Sequence, residues 1–201
     1  MHDNPDRPGG SHDFRRHARR ERELERLRHQ ALAAWPTEAR WLKAHGLADG
    51  MHVLDVGCGP GFISEQLARL NPNGSTVGLE PDPQLAGVAE AMFASHPGLS
   101  LHLGGLGSND LPQNAFDFAY VRFVMQHLAV PIDGLRDLYR LLKPGGRVVL
   151  ADADDGLTVL YPEPCLLYTS DAADDLLQGL LAVVGGRVIW GGGGGGGGGG
   201  G

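Results

Sequence analysis

From residue 50 onward the chain alternates between two hydrophobic rhythms. Short apolar runs fall at 53–56, 76–80, 99–103, 116–121 and 147–151. Between them, apolar residues recur every third or fourth position: Phe62-Ile63-x-x-x-Leu67, then Leu85, Val88, Ala89, Met92 and Phe93, then the amphipathic stretch 132–142. The first rhythm predicts strands and the second helices. Turn signals separate them at Asp49-Gly50, Asn71-Pro72-Asn73-Gly74, His96-Pro97-Gly98 and Lys143-Pro144-Gly145-Gly146, while Pro81-Asp82-Pro83 opens a helix. Strands that alternate with helices predict an α/β architecture, a mostly parallel sheet covered on both faces.

Upstream the pattern changes. Residues 1–12 are rich in Pro, Gly, Asp and Asn without periodicity and are expected to be a disordered N-terminus. Residues 13–46 predict a helical cap in two pieces. The first carries interleaved Arg and Glu with Glu25 and His29 at i,i+4; Trp35-Pro36 ends it, and a second helix runs from Thr37 to Gly46. Residues 47–164 then form the ligand-binding domain.

At 201 residues with a net charge of −7, the chain has room for one core and no general excess of positive charge. The arginines of the first helix are offset by neighbouring acids, which argues for a solvated face rather than a nucleic-acid surface. No apolar run is long enough for a membrane span, and the polar N-terminus does not read as a signal peptide. Cys58 and Cys165 provide no disulfide framework, which fits a cytoplasmic setting. The histidines lack metal-ligand spacing, so no metal is expected.

The chemistry concentrates at the first strand. Asp55-Val-Gly57-Cys58-Gly59-Pro-Gly61 sits between that strand and the first helix of the domain. Alternate glycines permit unusual backbone angles and let a ligand lie on the main chain. Cys58 is small enough to pack within the loop. Glu80 ends the second strand, where an acid in an open parallel sheet meets ribose hydroxyls, followed by Pro81. A dinucleotide-binding oxidoreductase shares strand, loop and acid, but its G-x-G-x-x-G spacing is absent. A non-catalytic nucleoside-binding protein is the other alternative.

On these residues the chain resembles the class I S-adenosylmethionine-dependent methyltransferases, whose first motif reads like Asp55 to Gly61. Phe116-Asp117 before an apolar run, and Leu-Lys-Pro-Gly-Gly before the fifth strand, are also typical of that family. The resemblance implies a Rossmann-like three-layer α/β/α fold and S-adenosylmethionine as cofactor. The glycine loop would face its aminocarboxypropyl arm, and Asp55 would order the loop and help hold the ammonium. The segment from Gly104 to Pro112 resembles the third motif, which places the adenine near Gly107, Ser108 and Asn109, although the usual acid is missing there. Arg122, Gln126 and His127 leave the fourth strand at its ligand-bearing end. His127 is the candidate general base, with a backbone-bonded histidine as the alternative. Gln30 of the cap is expected to contribute to the site. The family habit implies in-line methyl transfer to a small-molecule acceptor.

Beyond residue 164 the character changes again. Cys165 to Asp174 resembles a translated sequencing adapter, and Gly191 to Gly201 is an unbroken glycine run. Residues 165–201 are therefore expected to be an artefactual tail on a truncated chain. Strands one to five would be present and six and seven missing, leaving the fifth strand as an open edge. The alternative is a real helix capped by Ser170, with Leu176, Leu177, Leu180 and Leu181 as its stripe.

Overall fold

The computed structural model describes residues 11–153, 178–184 and 187–192. The chain runs α1 (Ser11–Ala44), β1 (His52–Val56), α2 (Phe62–Leu70), β2 (Ser75–Glu80), α3 (Pro83–Phe93), β3 (Leu99–Leu103), β4 (Phe116–Arg122), a 3-10 turn (Met125–His127), α4 (Pro131–Leu141), β5 (Leu142–Ala153), β6 (Gln178–Val184) and β7 (Arg187–Gly192). The strands form one sheet in the order β3-β2-β1-β4-β5-β6-β7. β1 pairs in parallel with β2 on one side and β4 on the other. Strand order therefore reverses between β1 and β4, and a crevice opens at the carboxyl ends of strands there.

Alternation along the strands sorts the core into layers. Val53, Phe118, Tyr120 and Val149 pack with Ala31 and Leu42 of α1 and Ile63 and Leu67 of α2. Leu54, Val56, Ala119, Val121 and Leu150 pack with Leu138 and Leu141 of α4. Ala89 and Phe93 of α3 form a smaller cluster with Cys58 and Leu99. The result is the Rossmann-like α/β/α arrangement that the resemblance implies, with the first five strands all parallel.

Three features correct the sequence reading. First, the cap is one helix, which begins at Ser11 and continues through Pro36 to Ala44. Residues 11 and 12 thus belong to it, while 1–10 lie outside the described residues. Proline removes one amide donor and crowds the preceding turn. Here Ala31 and Trp35 before it, and Leu42 after it, pack on the same cluster. That shared face holds the two halves in line. Because Pro36 is exposed, Pro36→Ala should restore the missing hydrogen bond and raise stability by about 1–3 kcal/mol. A thermal melt at or below wild type would count against a strained helix.

Second, β5 starts at Leu142, so Lys143 to Gly146 lie within it rather than before it. The pairing with β4 shifts register between Phe116 and Phe118, which accommodates this segment as an irregularity. Third, strands follow β5 where the sequence reading expected none. β6 runs antiparallel to β5 and β7 antiparallel to β6, so β5 is not an open edge. The proposed helical stripe is also corrected, since Leu180 and Leu181 lie in β6. Residues 165–177, with Cys165, Ser170, Leu176 and Leu177, lie outside the described residues.

Candidate cofactor site

The glycine turn is built by its backbone. Gly57 and Cys58 both donate to Leu79 O, at 2.7 and 3.1 Å, and Gly61 donates to Cys58 O at 2.9 Å. These bonds tie the turn to β2 and curl it into α2. Gly57, Gly59 and Gly61 have φ of 66°, 55° and 89°, a left-handed region that side chains rarely adopt. Their surroundings differ in a telling way. A Cβ at Gly57 would collide with Val124 Cγ2, and one at Gly61 would meet Phe93 Cε1 at 2.5 Å. A Cβ at Gly59 would meet nothing within 4 Å. Gly57 and Gly61 are glycine because protein presses on them; Gly59 faces open space.

Gly59→Ala should therefore cost only about 1–2 kcal/mol of backbone strain while placing a methyl group where a ligand approaches. Calorimetry should show ligand affinity falling out of proportion to the small loss in melting temperature. Wild-type affinity in this variant would exclude Gly59 from the ligand surface.

Glu80 bridges the turn and the next helix. It is 5% exposed. Its Oε2 accepts from Gly59 N at 2.8 Å and its Oε1 from Asp82 N at 2.9 Å. Each oxygen keeps a lone pair for a further donor, the requirement for a vicinal diol. Asp82 in turn caps α3, accepting from Gln84 N at 2.7 Å. Pro81 is exposed between them.

Asp55 lies on the α1 side of the sheet, opposite Tyr120 in the β1–β4 register. Only 2% exposed, it accepts from Ser64 Oγ at 2.6 Å. Burial pushes its carboxyl up to about 7, against the pull of the Ser64 hydrogen bond and the Arg122 charge. Its direct contact orders the start of α2. Cys58 is buried against Gly78, at 2.7 Å from the position of a Cβ there, and burial pushes its thiol well up. Packing, not nucleophilicity, is its local role.

The predicted adenine segment is built differently from its expectation. Gly105 and Ser108 close a tight turn by exchanging backbone hydrogen bonds. Gly107 and Ser108 are exposed on it. The Asn109 side chain is committed elsewhere: its Nδ2 donates to Gly105 O and Asp137 Oδ2, and its Oδ1 accepts from Arg140 Nη2 at 2.9 Å. Asp137 also accepts from Gly107 N and Arg140 Nε, which hold its carboxyl below the usual range against a burial effect that raises it. Asn109 thus fastens the turn to α4, and any base contact falls to the backbone. Asp110 pairs with His102 at 2.7 Å.

Arg122 ends β4 under α1, where its Nε donates to Glu38 Oε1 at 2.9 Å. Its guanidinium also lies over the Phe123 ring at 4.4 Å from the centroid. Phe123 has φ of 56°, strained for an aromatic residue, at the point where the chain leaves the strand. That twist carries Val124 over Gly57. His127 sits exposed on the 3-10 turn; its amide donates to Val124 O at 2.9 Å, and its ring lies 3.5 Å from Gln126 Nε2. The Gln126 amide donates to Asp152 Oδ2. His127 therefore lies just beyond the carboxyl end of β4, on the turn that follows Val124. Gln30 is half-buried on α1 beside Ala31, which packs on the core. Farther out, Arg20 Nη2 donates to Gln84 O at 3.3 Å, so α1 reaches from the end of β4 to the start of α3.

Sequence reasoning missed Glu38, Ser64, Tyr120 and Phe123. The signal for Glu38 was present. It interrupts the sheet-facing stripe of Ala31, Trp35 and Leu42, a place where an acid needs a partner.

A strand, a glycine turn, a helix and a buried acid ending the neighbouring strand define a Rossmann-like nucleoside-binding protein. Comparison with known proteins narrows this class. Residues 54–148 match the model of a family described as "Methyltransferase domain". An uncharacterised methyltransferase of Schizosaccharomyces pombe is 34% identical over 119 residues, covering 55% of this chain and 43% of the relative. A tRNA U34 carboxymethyltransferase of Pseudoalteromonas translucida is 36% identical over 119 residues, covering 56% of this chain and 36% of the relative. The crystal structure of a SAM-dependent methyltransferase from Aquifex aeolicus superposes with a TM-score of 0.56 at 25% identity, covering 63% of this chain and 68% of that one. Residues 54–148 therefore resemble a methyltransferase domain, and an S-adenosylmethionine-dependent methyltransferase stands among the solved structures that the chain is similar to. The chain spans 43% or less of the length of the curated relatives just compared.

The site fits the family's cofactor. An open Gly59, a buried carboxylate with spare lone pairs at the β2 terminus, and bare main chain between them suit an adenosyl group carrying an amino-acid arm.

Proposed function

We propose that this chain binds S-adenosylmethionine across the β1–β4 crevice and transfers its methyl group to a small-molecule acceptor. The observation that carries the reading is the Glu80 carboxylate bonded to Gly59 N at 2.8 Å, which sets a ribose acceptor directly beside the open stretch of main chain. The cofactor, when bound, supplies a methyl group on a sulfonium that is already an activated leaving group. The chain's own work is therefore mostly alignment and exclusion of water. Glu80 receives the two ribose hydroxyls, the Gly57–Gly61 main chain receives the amino-acid arm, and Asp55, through Ser64, fixes the loop that carries them. The exposed turn of Gly107 and Ser108, with Pro81 packed against Gly105, borders the adenine. Arg122 stands at the arm's far end. His127 takes the acceptor's proton where the acceptor needs deprotonation.

α1 packs its Ala31–Leu42 face over β1, β4 and β5, and Gln30, half-buried beside Ala31, is assigned to the acceptor side. This placement favours a small acceptor, because the helix leaves little room for a folded macromolecule at the methyl group. The tRNA-modifying relatives keep a nucleic-acid acceptor as the second reading. Calorimetric titration with S-adenosylhomocysteine and, separately, NADH tests the assignment. Binding of the first alone is expected, whereas NADH binding with no response to the first would replace the methyltransferase reading by an oxidoreductase one. Isotope transfer from labelled cofactor into small-molecule and tRNA pools separates the two acceptor classes. Deleting residues 1–35 should lower that transfer at least tenfold if the cover excludes water; unchanged transfer would remove α1 from the site.

A further inference from the structure

The segment that leaves β4 is held in strain. Asn114 and Phe123 are the non-glycine residues with positive φ among the described residues, at 53° and 56°. Asparagine visits that region readily, whereas a bulky aromatic residue stays there only when its surroundings force it. Two contacts hold Phe123. Its amide donates to Ala151 O at 2.8 Å, which ties it to β5, and the Arg122 guanidinium lies over its ring at 4.4 Å. Arg122 is itself fixed by Glu38 of α1 at 2.9 Å. Three residues further on, the Gln126 amide donates to Asp152 Oδ2, so the segment is pinned to β5 a second time.

The strain has a product. It sets the Val124 side chain on the α-carbon of Gly57, where an added Cβ would overlap Val124 Cγ2 and lie 3.7 and 3.8 Å from its Cβ and Cγ1. Gly57 opens the glycine turn and is tied to β2 through Leu79 O at 2.7 Å. Val124 also supports the 3-10 turn Met125–His127, since its carbonyl accepts from His127 N at 2.9 Å. One residue therefore touches both the loop assigned to the cofactor and the turn assigned to the acceptor. We propose that Val124 is a positioning residue that couples the two. The Gly57 main chain is the stop that sets where the turn bearing Gln126 and His127 lies, and a ligand that fixes the glycine turn fixes this second turn with it. The proposal deepens the methyltransferase reading above and rests on it. Strain at Phe123 keeps the contact loaded, because a relaxed φ there would rotate Val124 away from Gly57. By reciprocity, anything that orders the 3-10 turn strengthens cofactor binding.

Hydrogen exchange read by mass spectrometry on the full chain tests the coupling, with S-adenosylhomocysteine as the probe. In wild type the ligand should slow exchange in the peptide over 57–61 and also in that over 123–128, by about threefold or more in the second. Val124→Ala removes the methyl groups that meet Gly57. Its 57–61 peptide should still be protected by ligand, while the slowing over 123–128 should disappear. Val124→Ile, which keeps the branch at Cβ, should restore it. A merely structural side chain would speed exchange over 123–128 equally with and without ligand and leave the slowing in place, which would overturn the coupling. Thermal melts confirm that each variant is folded. If Val124→Ala unfolds, Phe123→Gly carries the test, because glycine takes the same φ without the ring that Arg122 covers. The slowing should then fall by about half or more, and full slowing would overturn the proposal. If wild type does not bind S-adenosylhomocysteine, the cofactor reading fails and the coupling with it; binding that protects 57–61 and leaves 123–128 unchanged removes the coupling alone.

Discussion

Glu80→Gln is expected to weaken S-adenosylhomocysteine binding by about 100-fold. Two terms combine. The ribose diol loses a charged acceptor, and hydrogen bonds to charged groups contribute about 1.5–3 kcal/mol each. The free protein suffers too, because Glu80 accepts from Gly59 N with one oxygen and from Asp82 N with the other. A carboxamide can accept only one of these bonds; its NH2 group would face the second N–H. Leaving a buried amide unpaired costs about 1–3 kcal/mol, so the melting temperature should drop by roughly 4–8 °C. Calorimetry and a thermal melt on the same preparation separate the two effects. Affinity within about threefold of wild type would mean that the sugar is held elsewhere.

Asp55→Asn should move stability and binding in opposite directions. In the folded chain burial raises the Asp55 carboxyl from 3.8 to about 7. Between those values the native state keeps a proton that the unfolded chain releases. Stability is therefore highest near or below pH 4, falls as pH rises towards about 7, and is level above that. The full drop is on the order of 4 kcal/mol. Asparagine cannot titrate, so its melting temperature should stay nearly flat between pH 5 and pH 8 where the wild type declines. It retains an acceptor for Ser64 Oγ, but its second N–H must find a partner, which offsets part of the gain by about 1–3 kcal/mol. Asp49, Asp117 and Asp137 have depressed carboxyls and act in the opposite sense, losing stability only as pH falls below about 4. At pH 8, where Asp55 is ionised, cofactor affinity should fall at least tenfold in the variant, which then lacks a negative charge beside the cationic arm. A wild-type slope in Asp55→Asn would show that another group causes the pH dependence.

Much of this was legible in the chain because the relevant signals are local. The five parallel strands announce themselves by short apolar runs between turn residues. The glycine turn needs no tertiary information, since its geometry demands glycine wherever it occurs. Where long-range packing decides, local signals mislead. Pro36 reads as a helix end, yet burial of Ala31, Trp35 and Leu42 on one core carries the helix through it. Asn109 reads as an adenine contact, but Asp137 and Arg140, some 30 positions away, claim its whole side chain. β6 and β7 lie in the stretch that resembles a translated adapter and a glycine run. Leu180 to Val184 and Val188 to Trp190 are apolar runs separated by Gly185-Gly186, a hairpin signal in its own right. Glu38 was missed because Pro36 reads as a helix end, so Ala31, Trp35, Glu38 and Leu42 did not read as one inward face.

The reversal of strand order between β1 and β4 has a consequence for how the domain assembles. The two walls of the crevice are joined where Val53 meets Phe118 and Val56 meets Val121, and the His52 amide reaches Asp117 across 65 positions. Closing so long a span is slow compared with forming any single hairpin or helix. The seat for the nucleoside thus exists only once β1 and β4 are paired. A molecule that fits it recognises the finished fold alone, and its occupancy holds the domain back from unravelling by mass action.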